Sequence, residues 1–179
     1  MKTFEELKKD LLERAKKHHA CQDGYSMGLN AKSKQDLLKA ITNNWYWVLS
    51  TSKMIDANYL EKNFTEEELT EAGIYTRKEH TSNAKSFACG SATVEAYDSA
   101  TVEACDSATV EAYDSATVEA YGSATVEAYG SATVKAYDNS YVEDCTGNIN
   151  AVSDHGIVKD YYNHKIYIKK GKFEIIEIE

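Results

Sequence analysis

The chain has 179 residues and a formal net charge of −9 at pH 7. Hydrophobic residues make up 42% of it, and it contains no proline. Residues 1–80 carry 13 basic and 13 acidic side chains, residues 81–138 carry 2 and 9, and residues 139–179 carry 5 and 7. An acidic excess concentrated in the middle of the chain argues against direct binding of nucleic acid through a phosphate-neutralising patch. It favours a partner with a cationic surface.

The amino terminus and the cysteines indicate the cellular compartment of the protein. The first ten residues, MKTFEELKKD, lack the apolar region of a signal peptide, and the chain has no run of 18 apolar residues that could span a membrane. The cysteines show no metal-ligand spacing such as C-x-x-C. We therefore predict a cytoplasmic protein with free thiols, no metal or cofactor, and no membrane partner.

Helix-starting motifs divide residues 1–80. Each motif pairs a serine or threonine with an acidic residue three positions later, and apolar side chains follow at helical spacing. A further helical turn is expected over residues 56–62. The segment is predicted to be a helical unit of three or four helices. The motifs are Thr3 with Glu6, Ser33 with Asp36, and Thr65 with Glu68.

Two local clusters in this unit invite a functional interpretation. The aromatic run Trp45-Tyr46-Trp47 is either a core anchor or an exposed patch for a partner. We favour the core, with Trp45 on the inward face of the second motif's helix. The pair His18-His19, near Cys21, suggests a metal, but adjacent residues do not share a helix face and cannot easily bind one ion.

Residues 91–138 are six head-to-tail copies of Ser-Ala-Thr-Val-Glu-Ala-Tyr-(Asp/Gly), and weaker copies extend the frame over residues 83–162. A period of eight is too short for a helical repeat and fits one strand plus a turn. Alanine, valine and alanine alternate with threonine, glutamate and tyrosine, so one set faces inward. Since a column of unpaired carboxylates cannot be buried, the alanines and valines form the core. The eighth residue, with the following serine, suits a turn.

Two octads per coil would give a flat solenoid of two sheets with 16 residues per coil, and three octads would give a triangular one. The small core side chains favour the flat form, in which neighbouring strands lie about 4.8 Å apart. One face then carries a tyrosine row beside a glutamate row, which stabilises the stack and also offers a docking surface. The candidate interaction residues are Glu95, Glu111, Glu127, Tyr97, Tyr113 and Tyr129.

The repeat residues 92–97, Ala-Thr-Val-Glu-Ala-Tyr, resemble octapeptide-repeat proteins of the A-T-V-x-A-Y-(G/D) type associated with gut bacteria and their phages. The resemblance covers residues 83–162 and implies a solenoid of variable length, with no known activity. The period is also similar to that of bacterial ice-nucleation proteins, whose coils are built from octads. Those arrays present paired outward threonine columns, whereas each strand here has a single threonine, such as Thr93, beside a carboxylate.

The eight-residue repeat pattern gives way to a different sequence pattern at Lys165. Ile166 and Ile168 alternate with polar residues, Lys-Lys-Gly at 169–171 predicts a turn, and residues 173–179 alternate again. We expect an antiparallel hairpin that covers one end of the solenoid, since exposed parallel edges invite end-to-end association, and a helical unit that covers the other end. The predicted fold is therefore α+β. It comprises an N-terminal helical unit (1–80), a parallel β-solenoid with 16 residues per coil (81–164) and a C-terminal capping hairpin (165–179).

The sequence contains no nucleophile elbow, P-loop, dinucleotide fingerprint or HExxH motif. A ladder gives every glutamate the same environment, whereas a catalytic residue needs a singular one. We therefore predict a protein that is not an enzyme and acts as a rigid interaction or structural module with a protein partner. Two alternatives stay open: an acidic decoy that mimics nucleic acid and inhibits a DNA-binding protein, and an ice-binding protein.

Overall fold

Helices occupy the first part of the chain, and the rest is built of short strands. The computed structural model describes residues 1–176, apart from the side chains of residues 149–151. Within this range, residues 1–73 form the helical unit, with five α-helices and one short π-helix. They are α1 (Phe4–Lys17), α2 (Gln22–Asn30), α3 (Lys34–Thr42), the π-helix (Tyr46–Thr51), α4 (Ala57–Asn63) and α5 (Glu66–Glu71).

The predicted helix starts are confirmed. Two are reciprocal capping boxes, in which each partner's side chain binds the other's backbone: Thr3 with Glu6, and Thr65 with Glu68. At the third, Ser33 Oγ accepts from the Asp36 backbone N–H at 3.1 Å, but the Asp36 carboxylate accepts from the Lys32 N–H at 2.8 Å. This helix therefore has a serine cap without the reciprocal bond.

Trp45 is a core residue, as predicted. It is 1% exposed and its ring packs 5.0 Å from the ring of Phe87, whereas the neighbouring Tyr46 is 43% exposed. The apolar pattern did not predict α2, which carries Gly24 and Gly28 in nine residues. Interior glycines disfavour a helix, so packing against α1 and α3 outweighs the local preference here.

The strands form two sheets that face each other. The odd sheet contains β1 (Ile74–Tyr75), β3 (Lys85–Ala88), β5 (Thr101–Ala104), β7 (Thr117–Ala120), β9 (Thr133–Ala136) and β11 (Ile149–Val152). The even sheet contains β2 (Glu79–Ser82), β4 (Thr93–Ala96), β6 (Thr109–Ala112), β8 (Thr125–Ala128), β10 (Tyr141–Asp144), β12 (Ile157–Asp160) and β13 (Lys165–Ile168). Parallel pairing begins at Ile74, before the first residue of the predicted array.

The register confirms two octads per coil. Thr93 pairs with Thr109, and Val94 with Val110, so equivalent residues recur every 16 positions within a sheet. Alanine and valine side chains of the two sheets meet in one apolar core, where the repeat alanines are almost completely buried. The six valines predicted inside are Val94, Val102, Val110, Val118 and Val126, each 0% exposed, and Val134, which is 6% exposed.

The eighth position of each octad adopts a left-handed backbone conformation. Asp98 has a φ of 57° and Gly122 a φ of 62°, which explains why only aspartate or glycine occupies this position. At Gly122 an added Cβ would also lie 3.0 Å from the backbone nitrogen of Asp106. Turns of neighbouring coils bond to each other, as when the Ser115 N–H donates to the Asp98 carbonyl at 2.9 Å. The turns are therefore stacked as regularly as the strands.

An antiparallel hairpin closes the carboxyl end, but its strands differ from those predicted. The antiparallel partner of β13 is the preceding β12, with Ile157 opposite Ile168 and Asp160 opposite Lys165. Residues 173–176 form no strand, and residues 177–179 lie outside the described part of the chain. The hairpin turn instead follows Asp160, whose carboxylate accepts from the Asn163 N–H and amide at 2.8 Å each.

The helical unit packs along the side of the solenoid as well as near its first coil. Its core includes Phe87, Cys89, Cys105 and Tyr121, which all point outward from the odd sheet. The sequence predicts cover for one end of the solenoid, and the structure adds the contact along its side. The seventh position of the octad explains the difference, because cysteine replaces the bulky tyrosine at two of the three coils that the helices contact, Cys89 and Cys105.

Candidate interaction surface

The outward face of the even sheet carries the candidate interaction residues in two columns. Successive tyrosines stack almost in parallel: the ring centroids of Tyr97 and Tyr113 are 4.9 Å apart, and those of Tyr113 and Tyr129 are 5.2 Å apart. The glutamates form the adjacent column, in which Glu95 lies beside Glu111, and Glu111 beside Glu127, in the register of neighbouring strands. All six candidate residues are half-buried, and the structure brings them together on one face.

A hydrogen bond within each strand connects the two columns. The phenol of Tyr97 donates to the Glu95 carboxylate at 3.0 Å, and Tyr113 and Tyr129 donate to Glu111 and Glu127 at 2.6 Å each. The repeat pattern predicted two separate ladders and not this bond. Period-2 alternation was the available signal, because residues two apart on a strand lie side by side. The bonds hold both side chains in fixed positions, so the face is ordered before any partner binds.

The hydrogen bonds to glutamate also change the acidity of the tyrosines. The bond from Tyr129 to Glu127, followed by burial, raises the pKa of the Tyr129 phenol to about 12. The same causes raise the pKa of Tyr97 and Tyr113. A phenolate beside a carboxylate would lose the hydrogen bond and gain repulsion between like charges.

The raised pKa of Tyr129 predicts that the ordered arrangement of the even-sheet face is lost at alkaline pH. Because the folded pKa of Tyr129 exceeds its ordinary value of 10.0, the bond's contribution to stability is complete below pH 10 and disappears as the pH rises through about 12. The tyrosinate absorbance of Tyr129 alone is the absorbance of the wild type minus that of Tyr129→Phe. As the pH rises, this difference should increase with a midpoint near pH 12. In the background of Glu127→Gln the same difference should have a lower midpoint, whereas equal midpoints would contradict the assigned bond.

The outward face of the odd sheet is occupied and largely neutralised. Tyr121 is 6% exposed, and its ring centroid lies 4.4 Å from that of Tyr46 in the helical unit. Lys85 pairs with Glu103 at 3.0 Å, and Lys135 pairs with Glu119 at 2.8 Å. The hydrogen bond from Lys135, followed by that from Tyr121, lowers the pKa of Glu119. The two repeat glutamates of this face are therefore paired.

On the even sheet the glutamates lack such partners. Among the described residues, no ion pair involves Glu95, Glu111 or Glu127, and no tyrosine beside them belongs to the core of the helical unit. A lysine appears in the column only at Lys159, which follows Glu143 in the register. The two faces of the solenoid thus differ in charge and coverage although their repeats are nearly identical.

Two buried cysteines lie at the junction of the odd sheet and the helices. The sulfurs of Cys89 and Cys105 and a carboxylate oxygen of Asp106 are all within 4.8 Å of one another, a group that sequence spacing did not reveal. These atoms could hold a metal ion only with both thiols deprotonated. Hydrogen bonding to Cys89, followed by burial, raises the pKa of the Cys105 thiol, so without an ion the pair acts as small packing residues.

No family model, curated protein or solved structure matches this chain. The likeness of the array to A-T-V-x-A-Y-(G/D) repeat proteins therefore stays a prediction. None of the helices in residues 1–176 is long and apolar enough to cross a membrane. The contrast between the two faces of the solenoid is the structural feature that is most informative about function.

Proposed function

We propose that the protein is a non-catalytic, rigid module that presents the even-sheet face to a protein partner with a cationic surface. The observation that carries this proposal is the asymmetry of the two faces. Glu103 and Glu119 on the odd sheet are paired with lysines, while Glu95, Glu111 and Glu127 form no ion pair among the described residues. Nearly identical repeats become a directional surface because the helices, and the lysines that pair with repeat glutamates, lie on one side only.

The chemistry of the face suits protein recognition. Tyrosines contribute large contact area with few rotatable bonds, and a partner's arginine can bind a carboxylate through two hydrogen bonds or stack on an aromatic ring. The hydrogen bonds to Glu111 and Glu127 already restrain Tyr113 and Tyr129, which reduces the entropy lost on binding. Parallel pairing of the strands keeps the spacing uniform along the face.

Neutralising the face should abolish most of the partner's affinity. The variant Glu95→Gln/Glu111→Gln/Glu127→Gln keeps an acceptor for each tyrosine and raises the net charge by three. If each exposed charge pair contributes roughly 0.5 kcal/mol, the three losses weaken binding by about tenfold. The measurement is capture of proteins from a bacterial lysate on the immobilised chain, followed by salt elution and titration of any captured protein.

A matched control separates the face from the net charge. Thr101→Lys/Thr117→Lys/Thr133→Lys also raises the net charge by three, but on the outward face of the odd sheet. This variant should retain wild-type capture. Equal loss in both variants would show that overall charge, not the even-sheet face, attracts the partner, and would overturn the proposal.

The unpaired carboxylate column also supports a second candidate, an acidic decoy for a DNA-binding protein. Its carboxylates recur about every 4.8 Å, the spacing of neighbouring strands. Duplex DNA carries one charge per about 1.7 Å of axis, so a single column supplies only about a third of that density. We therefore rank the decoy second. If duplex DNA displaces a captured partner from the chain, the decoy is the better account.

A further inference from the structure

The helical unit contains a cavity that the role of the solenoid does not use. It has a volume of about 350 Å³ and lies between α1, α2, α3 and the π-helix. Small-molecule sites in proteins have volumes of about 300–1,000 Å³ and mainly apolar linings with a few polar groups. This cavity agrees with both criteria. Its apolar wall includes Leu11, Ala15, Leu37, Ile41, Val48 and Met54.

Two of the segments that line the cavity have a backbone structure that is locally unfavourable. In α2, which has no buried residue, Gly24 and Gly28 lie one turn apart and line the cavity. A Cβ added at Gly28 would approach Leu12 Cδ2 to 3.3 Å, so the glycines let α2 lie close to its neighbours without filling the space beneath. The lining also contains Trp47 and Val48 of the π-helix, a rare element that is frequent at functional sites.

The polar groups of the lining are His19, Cys21, Tyr25 and Asn44. His19 is exposed and follows the basic end of α1, where Lys16 and Lys17 precede it. An imidazole has a ring N–H to donate in either protonation state, so His19 can hydrogen-bond a carboxylate at the rim. The cavity thus combines an apolar interior with a rim suited to a negatively charged head group.

We propose that this cavity binds a small carboxylic acid with an unbranched apolar chain. The chain occupies the space between α1, α3 and the π-helix, and the carboxylate lies at the rim beside His19. The helical unit then has a role of its own, separate from the contact made by the even-sheet face. This inference does not depend on the proposed partner.

The test uses the full chain with decanoate, and with decanol as the neutral analogue of the same length. Isothermal titration calorimetry should show saturable binding of decanoate tighter than about 1 mM, with decanol at least about threefold weaker. Binding should also change the fluorescence of Trp47, which lines the cavity. Absence of saturable binding would overturn the proposal, and equal affinities would overturn the choice of a carboxylate.

Two variants locate the site. Ala40→Phe fills the cavity from α3 and should reduce decanoate affinity at least about tenfold, while Leu29→Phe on the exposed side of α2 should leave it unchanged. Circular dichroism checks that each variant keeps its helices. If Ala40→Phe fails to fold, His19→Ala at the exposed rim replaces it and should weaken decanoate but not decanol. Wild-type affinity in a folded Ala40→Phe, or equal losses for both ligands in His19→Ala, would contradict the site.

Discussion

Replacing Val118 with aspartate is expected to disrupt the solenoid at its centre. Val118 is 0% exposed and lies between Val102 and Val134 in the register of the odd sheet. An unpaired carboxylate there has only alanine and valine neighbours, and a buried charge without a partner costs roughly 3–5 kcal/mol. In a chain of this size that loss lowers the melting temperature by roughly 6–20 °C.

The matched control for this variant is the adjacent residue. Thr117 points outward and keeps a hydroxyl in Thr117→Ser, so its hydrogen bond with Thr133 at 3.2 Å can persist. Thermal unfolding followed by far-UV circular dichroism should show a change in melting temperature of no more than a few degrees for Thr117→Ser. Equal melting temperatures for the two variants would show that the assignment of inward and outward positions is wrong.

The second large effect concerns the cysteines that replace tyrosine in the repeat. Cys105 is 0% exposed beneath the helical unit, and Cys105→Tyr would place a phenol where the helices contact the sheet. Overpacking of a filled core costs roughly 1–3 kcal/mol, and a side chain this much larger lies at the upper end of that range. We expect the melting temperature to fall by roughly 5–10 °C and the helical unit to detach from the odd sheet.

The same substitution on the other face provides the control. Cys145 occupies the seventh position on the even sheet, is exposed, and follows Tyr129 in its column. Cys145→Tyr should extend the tyrosine stack and leave stability unchanged or slightly higher. Hydrogen exchange of the helical unit reports detachment directly: faster exchange is expected in Cys105→Tyr only. Similar exchange in both variants would mean that the small side chain at Cys105 is not what admits the helices.

The array could be predicted because each octad repeats the same local pattern. Small apolar residues at alternate positions, with outward glutamates, leave one arrangement that buries the valines and exposes the carboxylates. The choice of two octads per coil followed from the small volume of the core and is confirmed by the pairing of Thr93 with Thr109. The Tyr97–Glu95 bond could have been predicted from the same alternation.

The hairpin and α2 could not be predicted in this way. Residues 165–179 contain two alternating segments, and sequence alone did not show that Lys165–Ile168 would pair with the strand before it. In α2, the glycines contradict the helical conformation that the contacts with α1 and α3 impose. In both cases interactions with distant residues outweigh the local pattern.

The repeat pattern alone predicts the coil, its register and the outward position of the six candidate residues, because every repeat has the same short-range requirements. Which face stays uncovered depends on contacts between the helices and the solenoid, which the repeats do not encode. Nearly identical strands give the two sheets equivalent outward columns, so the difference arises from the helical unit over Cys89, Cys105 and Tyr121 and from the ion pairs of Lys85 and Lys135. Packing between units depends on side chains far apart in the chain, and no repeat pattern encodes it.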